Sequence, residues 1–173
     1  MTFLKRIYDI VGTISEWSGR IVSVAVPVLI VTITFDVFMR YLFNSPTVWS
    51  FELSYMLGTA VISLGLPFVH YHASHVRVDI VYSRLNPRAR LTLDVVLTAV
   101  LFFPLVYIWT RIFAVNGWHS FIEHEISYDS MWYPALWPFK LVIFLGFLLL
   151  LIQGAATFMR DVLSLAKGGE RPW

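Results

Sequence analysis

The sequence has no cysteine and few charged residues. With no thiol among 173 residues, disulfides, thiolate metal sites, iron–sulfur clusters and cysteine nucleophiles are all excluded. Charged residues make up 14% of the chain, against about 25% in an ordinary soluble domain. The formal net charge of +2 is small and the basic residues are dispersed, so nucleic acid is not expected as a partner. What is abundant is apolar, at 58% of all residues.

The apolar residues are concentrated in four runs of about twenty, at 21–39, 53–69, 91–110 and 141–159. A helix of that length is roughly 25 to 30 Å long, which matches the hydrocarbon thickness of a bilayer. A soluble domain of this size cannot bury four such helices. The sequence therefore predicts an all-α membrane protein, one integral membrane domain over residues 1–173, with spans at about 20–42, 49–70, 91–114 and 137–160.

The distribution of lysine and arginine predicts the orientation of the chain in the bilayer. Four spans place both termini on one side of the membrane, together with the loop at 70–90. That side carries ten of the lysine and arginine residues, and the opposite side has only Arg40, Arg111 and Lys140. Both termini are therefore expected in the cytoplasm. The first apolar run is too long for a cleavable signal and lacks a cleavage pattern behind it, so we expect it to be retained.

Two segments are expected to lie at the membrane surface. Apolar residues recur at three- and four-residue spacing over residues 2–17, which predicts an amphipathic interfacial helix. A plain extension of the first span is the alternative, although Gly12 and Gly19 would allow a bend between the two. On the other side, residues 116–138 combine a high density of tryptophan and tyrosine with several acids. This composition is typical of the membrane interface, and part of the segment is expected to lie flat on it.

Ionisable residues cluster where the first two spans approach each other. Asp36 and Arg40 are four residues apart, so they share one helix face. Glu52 begins the second span directly after the turn signal Asn44–Ser45–Pro46, within reach of Arg40. Ionisable residues inside a membrane are costly unless they are paired. We therefore predict a structural rim pair in which Arg40 is bound by Asp36 and Glu52.

Small and amide side chains mark one face on each of two spans. Small residues allow close approach of helix backbones, and a membrane-buried glutamine needs a hydrogen-bonding partner. Packing within the bundle and docking onto another membrane protein both account for the pattern. As a candidate interface with a larger membrane subunit we take Ser54, Gly58, Gly65, Gly146, Gln153 and Gly154.

Other chemistry is not indicated by the sequence. The histidines His70, His72 and His75, with Asp79, lack the spacing of metal ligands on one helix, and a pair of haem-ligating histidines at matched depth is missing. No nucleophile–base–acid set or phosphate-binding loop is present, so neither an enzyme nor a cofactor is expected. The middle portions of all four spans are apolar, unlike the midplane sites of self-sufficient transporters. A small multidrug exporter would carry an embedded acid in its first span, whereas Asp36 lies at the rim.

One group of residues resembles a known family. The stretch Arg40-Tyr41-Leu42-Phe43-Asn44-Ser45-Pro46, then Trp49 and Glu52, and the later His75-Val76-Arg77-Val78-Asp79 resemble the small membrane subunit, DctQ, of tripartite ATP-independent periplasmic (TRAP) transporters. The likeness covers nearly the whole chain, including the region from Gly146 to Gly154. Phe51 departs from the family pattern, which often has an acid at that position.

The resemblance implies a role in a complex of a bacterial or archaeal cytoplasmic membrane. A large membrane subunit would move the substrate, usually a carboxylate, with sodium, and a soluble periplasmic protein would capture it. The small subunit would brace the large one and help dock the binding protein, for which the outer acids Glu123, Glu125 and Asp129 are candidate contacts. The alternative function is a membrane anchor of a respiratory enzyme complex, which would show a Soret band if it held haem.

Overall fold

The structure, a computed structural model, describes residues 2–72 and 86–166, and these are almost entirely helical. Its helices are α1 (Thr2–Leu42), α2 (Ser50–Tyr71), α3 (Pro87–Leu97), α4 (Phe103–Ile122) and α5 (Trp137–Ala166). A π-helical turn, Thr98–Phe102, joins α3 to α4. Four helical stretches are long and apolar enough to cross a membrane: Lys5–Leu42, Ser50–Tyr71, Arg88–Ile122 and Trp137–Ala166. The predicted four-span, all-α fold is confirmed.

The first helix differs from the expected pair of an interfacial helix and a span. α1 is one uninterrupted helix of 41 residues, about 60 Å long, so it is roughly twice as long as the hydrocarbon layer is thick. The two glycines expected to allow a bend serve packing instead. A Cβ on Gly12 would collide with the ring of Tyr71, and one on Gly19 with the ring of Phe68. The absence of a Cβ lets α1 lie closely against the end of α2.

The bundle has a loop end and a terminal end. The loop end holds the connection at 43–49 and the segment at 123–136, and the terminal end holds Thr2, Tyr71, Pro87 and Ala166. At the loop end, α4 continues past the expected boundary at 114 to Ile122, so the first part of the aromatic segment extends the span. Only residues 123–136 form a separate connection, with one isolated antiparallel bridge between Ile126 and Ala135.

The helices pack in a definite order. α2 lies against both α1 and α5, and α4 packs against α5. The buried side chains include few large apolar ones, among them Val106, Ile143 and Leu150, and many small polar ones such as Ser15, Ser63 and Ser164. Most large apolar side chains point outward. This distribution suits a bundle whose surroundings are lipid or another membrane protein.

The π-helical turn in the third span has an identifiable cause. Pro104 has no N–H to donate and its ring clashes with the preceding turn, so regular α-helical hydrogen bonding fails there. The N–H of Phe103 instead bonds to the carbonyl of Thr98, and the extra residue in the turn reorients the rings before it. Phe102 then stacks on His70 of α2, with ring centroids 5.0 Å apart, and its ring also covers Gly154 of α5.

Candidate functional site

The turn between α1 and α2 is organised around Asp36. One carboxylate oxygen of Asp36 accepts a hydrogen bond from Arg40 Nη2 at 2.9 Å. The other accepts from the backbone N–H of Thr47 at 3.0 Å and from its hydroxyl at 2.5 Å. Asn44 takes a left-handed conformation with φ of 49°, which asparagine tolerates better than most residues. The Asp36–Arg40 contact was predicted, but the role of Asp36 in fixing Thr47 was not.

Glu52 does not join this cluster, so the predicted Arg40–Glu52 pair is wrong. Within the described part of the chain, both carboxylate oxygens of Glu52 are buried and have no hydrogen-bonding partner. The whole residue is only 3% exposed. The side chain of Arg40, by contrast, is 58% exposed. In the first turn of α2, Glu52 points into the bundle while Arg40 lies on its outer surface, and closeness in the sequence did not reveal that difference.

A polar groove runs along the contact between α1 and α2 at the loop end. Its volume is about 410 Å³, and its lining includes Asp36, Arg40, Thr47, Ser54 and Tyr55. The hydroxyl of Ser54 is buried there without a hydrogen-bonding partner among the described residues. Because Asp36 already neutralises Arg40, the groove has no net charge from this pair. The arrangement therefore stabilises the helix hairpin and gives no sign of reacting groups.

The candidate interface residues on α5 lie inside the chain, which corrects their assignment to the surface. A Cβ on Gly146 would lie 2.5 Å from the carbonyl oxygen of Ser63, so the backbones of α5 and α2 touch at this point. Gln153 is fully buried, and its side-chain oxygen accepts a hydrogen bond from Ser15 of α1 at 3.1 Å. Gly154 makes room for the ring of Phe102. All three positions are used in packing the bundle.

The two glycines of α2 are different from those of α5. A Cβ added to Gly58 or Gly65 would meet no atom of the described residues within 4 Å. The two residues are seven positions apart, so they lie on one face of α2, and Ile62 between them is 67% exposed. We call Gly58, Ile62 and Gly65 the open face of α2. The described residues leave this face uncovered, and the predicted contact of Gly58 and Gly65 with a larger membrane subunit stays a prediction.

The three acids predicted to contact the binding protein have different surroundings in the segment at 123–136. Glu125 forms an ion pair with Lys140 at the start of α5, and its backbone carbonyl accepts the N–H of Leu136 at 3.0 Å. The hydrogen bond from Lys140 lowers the pKa of Glu125 below its ordinary value of 4.5. Glu125 therefore holds the segment to the bundle. Glu123 and Asp129 are exposed and remain candidates for contact with a partner.

A cluster at the terminal end was not foreseen from the sequence. Arg160 near the end of α5 donates to the hydroxyl of Tyr8 at 2.8 Å and lies 5.1 Å from the centre of that ring. It also contacts Asp161 at 3.2 Å. Tyr8 packs against Tyr71, the last residue of α2, with ring centroids 5.7 Å apart. The cluster ties the beginning of α1 to the ends of α2 and α5, and no local pattern links residues 152 positions apart.

The histidine motif around the end of α2 lies partly outside the described residues. His75, Asp79 and the residues between them belong to 73–85, so their predicted lack of a metal role stays a prediction. His72, just after α2, contacts Glu16 of α1 with an N–O distance of 3.9 Å. The ring of His70 stacks on Phe102. Both described histidines near the terminal end thus contribute to helix packing.

These features define a multi-pass helical membrane protein whose polar groups mainly join its own helices. A family model described as "Tripartite ATP-independent periplasmic transporters, DctQ component" matches residues 29–164. The chain belongs to this family, as its resemblance had indicated, and is therefore a small membrane component of a TRAP transporter. Comparison with curated proteins and with solved structures gave no match.

Proposed function

We propose that this chain braces the large transport subunit of a TRAP transporter and helps dock its periplasmic substrate-binding protein. The complex would take up an organic acid together with sodium across the cytoplasmic membrane of a bacterium or archaeon. Both termini of the chain would lie in the cytoplasm, as the distribution of lysine and arginine indicates. The observation that carries the proposal is the family match over residues 29–164.

The interior of the bundle supports a bracing role. At Gly146 and Ser63 the helices α5 and α2 are in backbone contact, and at Gln153 and Ser15 a buried hydrogen bond joins α5 to α1. Helices in such close contact form a rigid unit, because small residues and interhelical hydrogen bonds favour tight packing in membranes. A rigid unit suits a fixed support against which a moving transport subunit works.

The open face of α2 is the surface that we assign to the large subunit. Gly58 and Gly65 are separated by two helical turns and leave the α2 backbone without a side chain at these two positions, where a partner helix could pack closely. Substitution of Gly58 by leucine would place a large side chain at this contact. We expect such a variant to fold normally alone but to retain less large subunit, since no described residue of its own chain lies within 4 Å of a Cβ at position 58.

Reconstitution tests the proposal directly. In proteoliposomes with an inward sodium gradient, this chain alone should take up no organic acid. Uptake should appear when the large membrane subunit and the soluble binding protein of the same transporter are both added. Omission of this chain should abolish or strongly reduce uptake at equal amounts of the other two. Sodium-driven uptake by the chain alone, or full uptake without it, would contradict the proposal.

A further inference from the structure

Arg111 is a charged residue without a counter-charge in the third span. It is the only aspartate, glutamate, lysine or arginine between Asp94 and Glu123. Its side chain makes no hydrogen bond, ion pair or ring contact with any residue that the structure describes. Charged groups within membrane spans are costly and are nearly always paired or in contact with water. Residues 2–72 and 86–166 thus supply no partner for this charge.

The position of Arg111 on α4 directs it away from the rest of the bundle. Trp109 and Phe113 stack on Phe147 of α5, with centroid separations of 6.1 and 5.5 Å. At 100° per residue, position 111 lies on nearly the opposite side of the helix from these two rings. Arg111 is exposed and lies seven residues from Trp118, about 10 Å further from the loop end along the helix. Arg111 therefore lies nearer the bilayer centre than Trp118, whose ring marks the membrane interface at the loop end.

A shallow groove surrounds this guanidinium. Its volume is about 350 Å³, and it is lined by Tyr107, Ile108, Arg111, Ile112, Val115 and Asn116. The apolar members Ile108, Ile112 and Val115 are 54%, 42% and 48% exposed, so they present a continuous surface to the outside. The guanidinium has only donors and matches a carboxylate in shape and charge. The phenol of Tyr107 and the amide of Asn116 add further hydrogen-bonding groups on either side.

We propose that the Arg111 face of α4, defined by these six residues, is a second contact with the large transport subunit. The partner there is a membrane helix that places an aspartate or glutamate opposite Arg111 and apolar side chains against Ile108 and Ile112. This inference rests on the proposed function, because it takes the large subunit as the neighbour in the membrane. It adds a charge-specific contact to the close-packed one on the open face of α2.

The geometry favours a protein carboxylate over the phosphate of a lipid headgroup. The groove extends to both sides of Arg111, from Tyr107 towards the terminal end to Asn116 towards the loop end, as a helix lying along α4 requires. Headgroup phosphates lie at the aromatic level or further from the bilayer centre. The distance of about 10 Å from Arg111 to Trp118 along the helix exceeds the length of an extended arginine side chain. A lipid would therefore leave the guanidinium without a close anionic partner.

Crosslinking identifies the neighbour, and the lack of cysteine in the chain makes it specific. Single cysteines at Ile108 and Ile112 of the purified chain are labelled with a benzophenone maleimide, and the complex is then assembled and irradiated. We expect adducts with one helix of the large subunit, located by mass spectrometry and containing an acidic residue. Adducts with lipid only would overturn the proposal. If the large subunit does not co-purify with the unmodified chain, the proposed function itself fails, which is a different result.

Substitution at Arg111 measures the contact. Arg111→Gln should reduce the large subunit recovered with the chain by about three- to thirtyfold, the range expected from polar contacts between membrane helices. Arg111→Lys, which keeps the charge, should retain more of the partner. The thermal stability of the isolated chain should be the same for all three proteins, because Arg111 forms no hydrogen bond or ion pair with the described residues. Arg111→Glu should also lose the large subunit, and replacement of the acidic residue located by crosslinking with arginine should restore its recovery. Unchanged recovery with Arg111→Gln, or failure of this exchange to restore binding, would refute the contact.

Discussion

The contact between α2 and α5 makes a quantitative prediction for Gly146→Ala. The added methyl group would lie 2.5 Å from the carbonyl oxygen of Ser63, 2.6 Å from its carbonyl carbon and 3.0 Å from its Cβ. Ordinary van der Waals contacts of a Cβ begin at about 3.4 Å. Two of the atoms that must move belong to the α2 backbone, so no rotation of a side chain relieves the collision. The two helices have to separate by nearly 1 Å.

The expected cost follows from known effects of overpacking. Insertion of a methyl group into a tightly packed core costs about 1 to 3 kcal/mol, which is roughly a 5- to 150-fold shift of the folding equilibrium. Alanine also has a helix propensity about 1 kcal/mol better than glycine, so the net loss of stability is expected near the lower end of the steric range, at about 1 kcal/mol. We would measure it as reversible unfolding of the purified chain in a constant mixed micelle, followed by far-ultraviolet circular dichroism.

Gly58→Ala and Gly65→Ala are matched controls in the neighbouring helix. Each introduces the same methyl group where no atom lies within 4 Å. These variants should be as stable as the unmodified chain or slightly more stable, because only the gain in helix propensity remains. Equal stability of Gly146→Ala and the two controls would show that the backbones of α2 and α5 are not in contact at Ser63, and the reasoning would fail.

Three further predictions concern the ionisable residues. Arg40→Ala and Glu52→Ala should change the stability of the complex independently, with additive effects in a double-mutant cycle, because Glu52 has no hydrogen-bonding partner in the described chain; a coupling of about 1 kcal/mol or more would show contact. Neutralising Glu123 and Asp129 together should reduce uptake most at low ionic strength and low binding-protein concentration, since salt screens such charges over about 8 to 10 Å; unchanged uptake across a salt series, at equal expression, would leave these acids without a docking role. Glu125 has a lowered pKa in the folded chain, so its stabilising contribution is complete above the ordinary value of 4.5 and is lost as pH falls through the lowered value. Tryptophan fluorescence should therefore report an acid transition of the 123–136 segment that Glu125→Gln lacks, and the same transition in both proteins would contradict this assignment.

Several features of this protein were determined by the sequence alone. Runs of about twenty apolar residues can only be accommodated by lipid in a chain of this size, so the number of spans follows from hydrophobicity and length. The spacing of Asp36 and Arg40 fixed their pairing because residues four apart always share a helix face. The family could also be recognised from the sequence, since the residues around Asn44 and Glu52 that resemble it lie close together along the chain.

The predictions that failed depended on which way a side chain faces across helices. Glu52 and Arg40 are close along the hairpin, but the rotation of α2 about its axis turns Glu52 inward, and no local pattern encodes that rotation. Gly146 and Gly58 are both glycines in apolar spans. Only the docking of α5 against Ser63 distinguishes a glycine that permits internal contact from one that leaves an open surface.

The tertiary structure likewise decided the roles of distant polar residues. Lys140 pairs with Glu125, and not with the neighbouring Glu123 or Asp129, because the segment folds back onto α5. Arg160 reaches Tyr8 only once α1 and α5 are packed together. The sequence therefore determined that the chain spans a membrane four times, since the hydrophobic effect acts on composition over each span. The tertiary structure determined which polar groups are internal and which remain for a partner, because that division depends on contacts between helices far apart in the chain.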